Sequence, residues 1–152
     1  MNPVSQPDES VNKENLSVKL KFFMTINAFV FIGAGIAFAL YGPLMIDLYG
    51  ILEFDGDIGW LYWYAASFGR MLGAMLFGTG FVIWAASGYV GKESETRPVD
   101  KRLMIALLIT NGMGLFVAAT QQFSVWFNTA GWITLLLFLT FSLGYLYFII
   151  KD

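Results

Sequence analysis

The sequence contains neither cysteine nor histidine. Without cysteine there are no disulfide bonds, no thiolate metal sites and no thiol redox chemistry. Without histidine the chain lacks the commonest metal ligand, the commonest general base and the usual axial ligand of haem. The sequence also has no Gly-rich phosphate loop and no pair of catalytic carboxylates. We therefore predict no catalytic residue, no metal site and no cofactor of its own.

Charged residues are also scarce in this sequence. Only 13% of the 152 residues are charged, about half the ~25% of an ordinary soluble domain, while 57% are hydrophobic. The mean hydropathy is +0.64. A net charge of −2 is too small to favour nucleic acid as a partner. Such a chain lacks the polar groups to cover a soluble surface, so we predict an integral membrane protein whose first partners are lipids.

The sequence contains several long stretches without a charged residue. A membrane-spanning helix needs about 20 apolar residues. The polar sequence around Gln121 and Asn128 divides the last charge-free stretch into two, and Pro43 is expected to kink or end the first helix. The sequence predicts a polar arm over residues 1–21 and a transmembrane domain over residues 22–150. The four predicted spans are residues 22–46, 60–88, 103–120 and 130–150.

The charges that flank these spans predict the orientation of the protein. Acidic residues without any lysine or arginine follow the first span, and the turn after the third span is uncharged. The flanking basic residues, which are all of the nine lysines and arginines except Arg70, fall in the other connections, which the positive-inside rule assigns to the cytoplasm. We predict an all-α, polytopic membrane protein, a four-transmembrane-helix bundle with both termini inside (N-in/C-in). The basic residues are Lys13, Lys19, Lys21, Lys92, Arg97, Lys101, Arg102 and Lys151.

Arg70 is the only charged residue inside its predicted span. A charge within the membrane costs roughly 2.5–3.5 kcal/mol on insertion scales and normally faces a partner, a cavity or the bundle interior. A hairpin of the first two spans would bring Asp47 near Arg70. The interpretation that we favour is an ion pair with Asp47 or bonds to backbone carbonyls. A lipid headgroup, a quinone-type carbonyl or an acid on a partner subunit remain as alternatives, since a guanidinium suits each of them.

Small residues and amides predict how the helices pack. Gly69 and Gly73 form a GxxxG motif, and Ala74 with Gly78 repeats its spacing, which lets two membrane helices approach closely. Internal packing is favoured over homodimerisation. Gly112 in the third span is a further predicted helix-packing residue. Asn111 lies beside it, where a hydrogen bond from its amide to another helix contributes ~1 kcal/mol. We include Asn111 with Arg70 and Asp47 as candidate ligand- or partner-binding residues.

Two short stretches carry a resemblance. The first span ends in Leu40-Tyr41-Gly42-Pro43, and the second contains Arg70-Met-Leu-Gly73-Ala74 followed by Gly78-Thr-Gly80. In these stretches the chain resembles small four-helix membrane proteins of the DoxX/DUF4345 type. The resemblance implies a bacterial inner membrane and association with a quinone-reducing oxidoreductase. The chain departs from the pattern in its longer acidic loop and its lack of cysteine.

Elimination leaves a short range of functions. We expect a non-catalytic accessory or structural subunit of a larger membrane complex, of respiratory or photosynthetic type, that packs against partner helices, lipids or pigments. The alternative is a standalone binder or carrier of a lipid- or quinone-like molecule. A third class, an enzyme acting on a lipid or quinone, lacks identifiable catalytic residues in the sequence.

Overall fold

A computed structural model of the chain describes residues 7–50, 59–90 and 97–151. Helices make up nearly all of this part of the chain, so the predicted all-α class is confirmed there. A π-helical turn separates the last two helices. The elements are α1 Pro7–Leu40, α2 Gly42–Leu48, α3 Gly59–Ser87, α4 Arg97–Gln121, the π-helical turn Gln122–Trp126 and α5 Thr129–Lys151.

Four of these helices are long and apolar enough to cross a membrane. Between 22 and 28% of the most apolar stretch of each is buried against the rest of the chain. Most of their Phe, Leu, Ile and Trp side chains therefore face outward, which fits an integral membrane protein in lipid. The four stretches are Asn15–Leu40, Leu61–Ser87, Lys101–Ser124 and Thr129–Lys151.

The first span differs from the predicted residues 22–46 at both ends. Helix α1 begins at Pro7, so it includes most of the predicted polar arm. It ends at Leu40, and the chain bends at Tyr41 before the short helix α2. Pro43 lies in the first turn of α2, where its missing N–H leaves no hydrogen bond unmade. The proline thus ends the first span earlier than its apolar composition indicates.

Helices α1 and α3 pack antiparallel through small residues spaced seven apart. A Cβ added to Gly80 would lie 2.8 Å from the carbonyl oxygen of Ala28. A Cβ on Gly73 would overlap the backbone of Ala39, and one on Gly35 would overlap that of Phe77. Seven-residue spacing keeps one face of each helix against its partner over several turns. The buried small residues are Ala28, Gly35 and Gly42 on one side, and Ala66, Gly73 and Gly80 on the other.

Helices α4 and α5 form the second hairpin, and an apolar core joins it to the first. The Phe138 ring lies against Gly114, and the Phe23 ring lies against Gly144. The Phe23 ring also makes an edge contact with Tyr145, at 5.2 Å between centroids. The core comprises Leu20, Met24, Ala28, Ile83, Val90, Met104, Leu107, Phe141, Tyr145 and Phe148. This core lies toward the end of the bundle where α3 finishes.

The opposite end, where α2 meets the start of α5, is held by polar and aromatic contacts. The Tyr49 hydroxyl and the Thr134 Oγ1 are 2.6 Å apart. The Tyr49 ring lies 4.8 Å from the Trp126 ring and 5.8 Å from the Phe38 ring, measured between centroids. We call this the Tyr49 end of the bundle. The C-terminal ends of α1, α2 and α4 all lie at this end.

Candidate functional site

Arg70 is exposed on helix α3, in the half of the bundle nearer the Tyr49 end. Its aliphatic stem packs over Gly42 at the start of α2. A Cβ added to Gly42 would lie 3.2 Å from Arg70 Cγ and 3.6 Å from Nε. The missing side chain at position 42 therefore makes room for the arginine stem. This packing leaves the guanidinium on the outside of the bundle.

The expected ion pair between Arg70 and Asp47 does not form in the structure. Asp47 is exposed, and within residues 7–50, 59–90 and 97–151 no ion pair or hydrogen bond engages the Arg70 guanidinium. The same holds for the expected bonds from Arg70 to backbone carbonyls. Asp47 follows Gly42 by more than one helical turn, so it lies beyond the level at which the arginine packs. Both residues thus present their charges outward.

The predicted ridge of small residues divides between two faces of α3. Gly73 lies in the interface with α1. A Cβ added to Gly69 would lie 3.9 Å from the Phe38 ring. Ala74 and Gly78 are exposed, and an added Cβ on Gly78 would meet nothing within 4 Å. Their expected internal packing is therefore wrong, because the interface repeats every seven residues rather than every four. With Ser67 and Ala85 they form what we call the α3 outer face, on which all four are exposed.

Asn111 forms part of a fully buried amide pair. Asn27 and Asn111 are both 0% exposed, and the Asn27 Nδ2 donates to the Asn111 Oδ1 at 3.4 Å. The Asn111 Nδ2 donates to the Leu107 carbonyl oxygen at 2.8 Å. The pair links α1 to α4, so Asn111 joins the two hairpins instead of facing a partner. The close helix packing predicted at the neighbouring Gly112 is wrong, because an added Cβ there would meet nothing within 4 Å.

The Tyr49 end contains a polar cluster that sequence reasoning treated only as a turn. The Gln122 Nε2 donates to the Asn128 carbonyl oxygen at 3.3 Å. The Asn128 Oδ1 caps α5 by accepting from the Gly131 N–H at 2.9 Å. The remaining amide atoms, Gln122 Oε1 and Asn128 Nδ2, are buried and have no hydrogen-bond partner. One is an acceptor and the other a donor.

The backbone around this cluster is unusual. Residues Gln122–Trp126 form a π-helical turn, a conformation that occurs mostly as single turns and often at functional sites. Phe127 follows with a φ of 45°, in the left-handed region that non-glycine residues seldom adopt. Gly50, with a φ of 63°, approaches from α2, and an added Cβ there would lie 3.5 Å from Asn128 Nδ2. The sequence signal for this site is the polar sequence from Gln121 to Asn128, which indicates a turn.

The described part of the chain contains no group of three or more acidic residues that would hold a metal ion. Comparisons with protein-family models, with curated proteins and with solved structures find no match for this chain. Two local features of the described chain are candidates for a functional site: the exposed Arg70 beside the α3 outer face, and the polar cluster at the Tyr49 end.

Proposed function

We propose that the protein is a non-catalytic accessory subunit that docks another membrane protein through Arg70 and the α3 outer face. The observation that carries the proposal is the exposure of Arg70 on a membrane-spanning helix, with no ion pair to any described residue. A lipid-facing arginine is costly, roughly 2.5–3.5 kcal/mol on insertion scales. A carboxylate on a partner helix would offset that cost through two parallel N–H···O bonds.

The α3 outer face supports the same assignment. Ser67, Ala74, Gly78 and Ala85 are all small and exposed on one side of the helix. Ser67 and Ala74 lie about one turn from Arg70, and Gly78 and Ala85 continue the same side for about three more turns. Small residues let two membrane helices approach closely, and dispersion contacts then replace those with lipid. The inner face of α3 already uses this device against α1. The partner we propose is therefore a helix with an Asp or Glu at the level of Arg70.

The wider setting of the proposal comes from composition and flanking charge. The chain would have both termini in the cytoplasm, because its basic residues flank only one side of the spans. A bacterial inner membrane is the setting that its compactness and the DoxX-type resemblance imply. A respiratory or photosynthetic complex would supply the partner subunits. Lipids, quinones or pigments of that complex would contact the outward aromatic side chains, as the DoxX-type resemblance also implies for quinone. No cofactor of its own is proposed.

Co-purification tests this docking role. Membranes from cells that produce the protein would be solubilised in a mild detergent, and native gels with mass spectrometry would identify the co-migrating proteins. We expect Arg70→Leu to remove the partner and Arg70→Lys to retain only part of it, since lysine keeps the charge but not the planar fork. An Arg70→Leu variant that keeps its full set of partners at normal yield would rule out this role.

A matched pair of glycine variants separates docking from folding. Gly78 on α3 and Gly33 on α1 are both exposed, and an added Cβ at either would meet nothing within 4 Å. Gly78→Leu should therefore displace the partner while Gly33→Leu leaves it bound. Equal loss of the partner in both variants would point to a general effect on the protein instead of a docking face.

The second candidate function is a standalone binder of a lipid-like molecule. The unpaired donor and acceptor at the Tyr49 end favour it, because buried polar groups normally have partners. In this case the native gel would show a small species that carries a bound lipid and no partner protein. The same measurement thus distinguishes the two candidates.

A further inference from the structure

The polar cluster at the Tyr49 end offers one acceptor and one donor that nothing in the described chain uses. Gln122 is 2% exposed, and its Oε1 lies against the Cα of Gly131, where an added Cβ would overlap it. Asn128 reaches the same point, because its Oδ1 accepts from the Gly131 N–H. The unpaired Oε1 of Gln122 and the amide that carries the unpaired Nδ2 of Asn128 therefore both lie beside Gly131.

We propose that Gln122 and Asn128 bind the hydroxyl of a neutral lipid headgroup at the Tyr49 end of the bundle. A hydroxyl donates one hydrogen bond and accepts others, so a single group pairs both unused atoms. An ester or ether oxygen only accepts, and an ammonium only donates. The cluster therefore selects a hydroxyl over the other common headgroup atoms.

The charge around the cluster favours a neutral headgroup over an anionic one. Asp47 is exposed on α2, two residues before Tyr49, and neither the π-helical turn nor the start of α5 carries a charge. A phosphate placed here would have the Asp47 carboxylate on the adjoining helix and no cation among the described residues of α2, the π-helical turn and the start of α5. Arg70 packs over Gly42, which lies more than one turn before Tyr49 along α2.

The side chains around the cluster favour a lipid over a free polyol. Exposed aromatic rings surround the turn, and aromatic side chains at the end of a membrane helix typically lie at the headgroup level. An acyl chain below the headgroup would contact these rings. The exposed rings are those of Phe123, Phe127 and Trp132, with exposed fractions of 65, 71 and 46%.

The Gln122 amide is weakly held, which would let a headgroup hydroxyl reach it. The Gln122 amide is held by one hydrogen bond of 3.3 Å, longer than the usual ~2.9–3.0 Å, so the amide can turn toward an arriving hydroxyl. The π-helical turn that carries it is a single turn with no continuation, ending at the left-handed Phe127. The proposal is independent of the docking role of Arg70.

A titration in a detergent without hydroxyl groups tests the proposal. The full chain would be purified in lauryldimethylamine oxide and titrated with 1-oleoylglycerol, with methyl oleate as the probe that lacks the hydroxyls. Native mass spectrometry would give the Kd of each probe. We expect 1-oleoylglycerol to bind about tenfold more tightly than methyl oleate, as expected for buried hydrogen-bonding groups that the ester probe leaves unpaired.

Two variants remove the unused atoms without removing the fold. Gln122→Met keeps the length of the side chain but has no amide, so it also loses the 3.3 Å hydrogen bond from Nε2 to the Asn128 carbonyl oxygen. Asn128→Asp keeps the oxygen that caps α5 and replaces only the donor nitrogen. Each should bring the Kd of 1-oleoylglycerol to within about twofold of that of methyl oleate, while Gln121→Met, at the neighbouring half-buried glutamine, should keep the tenfold preference.

Three results would overturn the proposal. The first is equal affinity for the two probes in the unaltered protein. The second is an unchanged tenfold preference in both Gln122→Met and Asn128→Asp. The third is displacement of 1-oleoylglycerol by an equal concentration of glycerol, which would show that the acyl chain and the surrounding rings contribute nothing.

Discussion

At the scale of single residues, the described spans contain few polar side chains, and their surroundings differ sharply. Asn27 and Asn111 are fully buried and bond to each other, whereas Arg70 is exposed and packs only through its stem. A buried amide that loses its partner has no water to bond in its place, so removing one partner should lower the free energy of unfolding. An exposed arginine that loses its charge should instead affect what the protein binds.

The amide pair gives the residue-scale prediction. We expect Asn111→Leu to lower the free energy of unfolding by about 1–3 kcal/mol, because it leaves the Asn27 Nδ2 without an acceptor and packs a leucine in place of the amide. The double variant with Asn27→Leu should recover part of this loss, since both polar partners are then gone. The free energies of unfolding of the two single variants and the double variant form a double-mutant cycle. They are measured by unfolding in sodium dodecyl sulfate, monitored by circular dichroism.

Strict additivity of the two single variants would contradict the bond between Asn27 and Asn111. Coupling energies for such pairs in membrane proteins average about 0.6 kcal/mol and reach about 1.7 kcal/mol. Thr110→Leu is the matched control, because Thr110 is exposed and its hydroxyl bonds only to the carbonyl of Ala106 in its own helix. It should change the free energy of unfolding by less than about 0.5 kcal/mol.

At the scale of helices, α3 presents small residues on two faces with different surroundings. On the inner face Gly73 and Gly80 touch the backbone of α1, while on the outer face Gly78 touches nothing. The same substitution should therefore have opposite effects on the two faces. This contrast depends on the seven-residue register between α1 and α3.

We predict that Gly73→Ala lowers the free energy of unfolding by roughly 1–3 kcal/mol, because the new methyl group would overlap the backbone at Ala39. Gly78→Ala should be neutral or stabilising by up to about 1 kcal/mol, since alanine favours the helix more than glycine does. Both are measured by the same detergent unfolding. Similar losses in the two variants would mean that the register between α1 and α3 differs from the one described.

Much of the element scale could be predicted from the sequence. Long charge-free stretches report membrane helices directly, because lipid requires their apolar side chains. The seven-residue register could not be predicted, since small residues occur in α3 at spacings of four and seven and only the partner helix selects between them. The π-helical turn and the left-handed Phe127 also left no signal beyond the polar sequence from Gln121 to Asn128. The predicted ion pair between Arg70 and Asp47 does not form, because α1 ends at Leu40 and Asp47 belongs to a separate helix, α2, whose first residue, Gly42, is the one that Arg70 contacts.

At the scale of the whole molecule, the bundle is two hairpins joined by a core near one end and by the contacts of Tyr49 with Thr134 and Trp126 near the other. Basic residues flank the spans on one side only, so the Tyr49 end is predicted to face away from the cytoplasm. Docking through Arg70 would then take place in the half of the membrane far from both termini.

Labelling of single cysteines tests this orientation, and the native chain is already free of cysteine. Ser124→Cys lies at an exposed position at the Tyr49 end, and Asp152→Cys lies at the C-terminus. A membrane-impermeant maleimide added to intact cells should modify the first and spare the second until the membrane is opened. Labelling of Asp152→Cys in intact cells would reverse the assignment of the two ends.

The most direct test of the docking role is photo-crosslinking from the α3 outer face in native membranes. A benzophenone amino acid would replace Gly78, and the same residue in place of Gly33 would serve as the control, since both sites are open. We predict a crosslink to a second membrane protein from position 78 alone, abolished when Arg70→Leu is added. Crosslinks only to lipid at position 78, or the same protein partner from position 33, would contradict it.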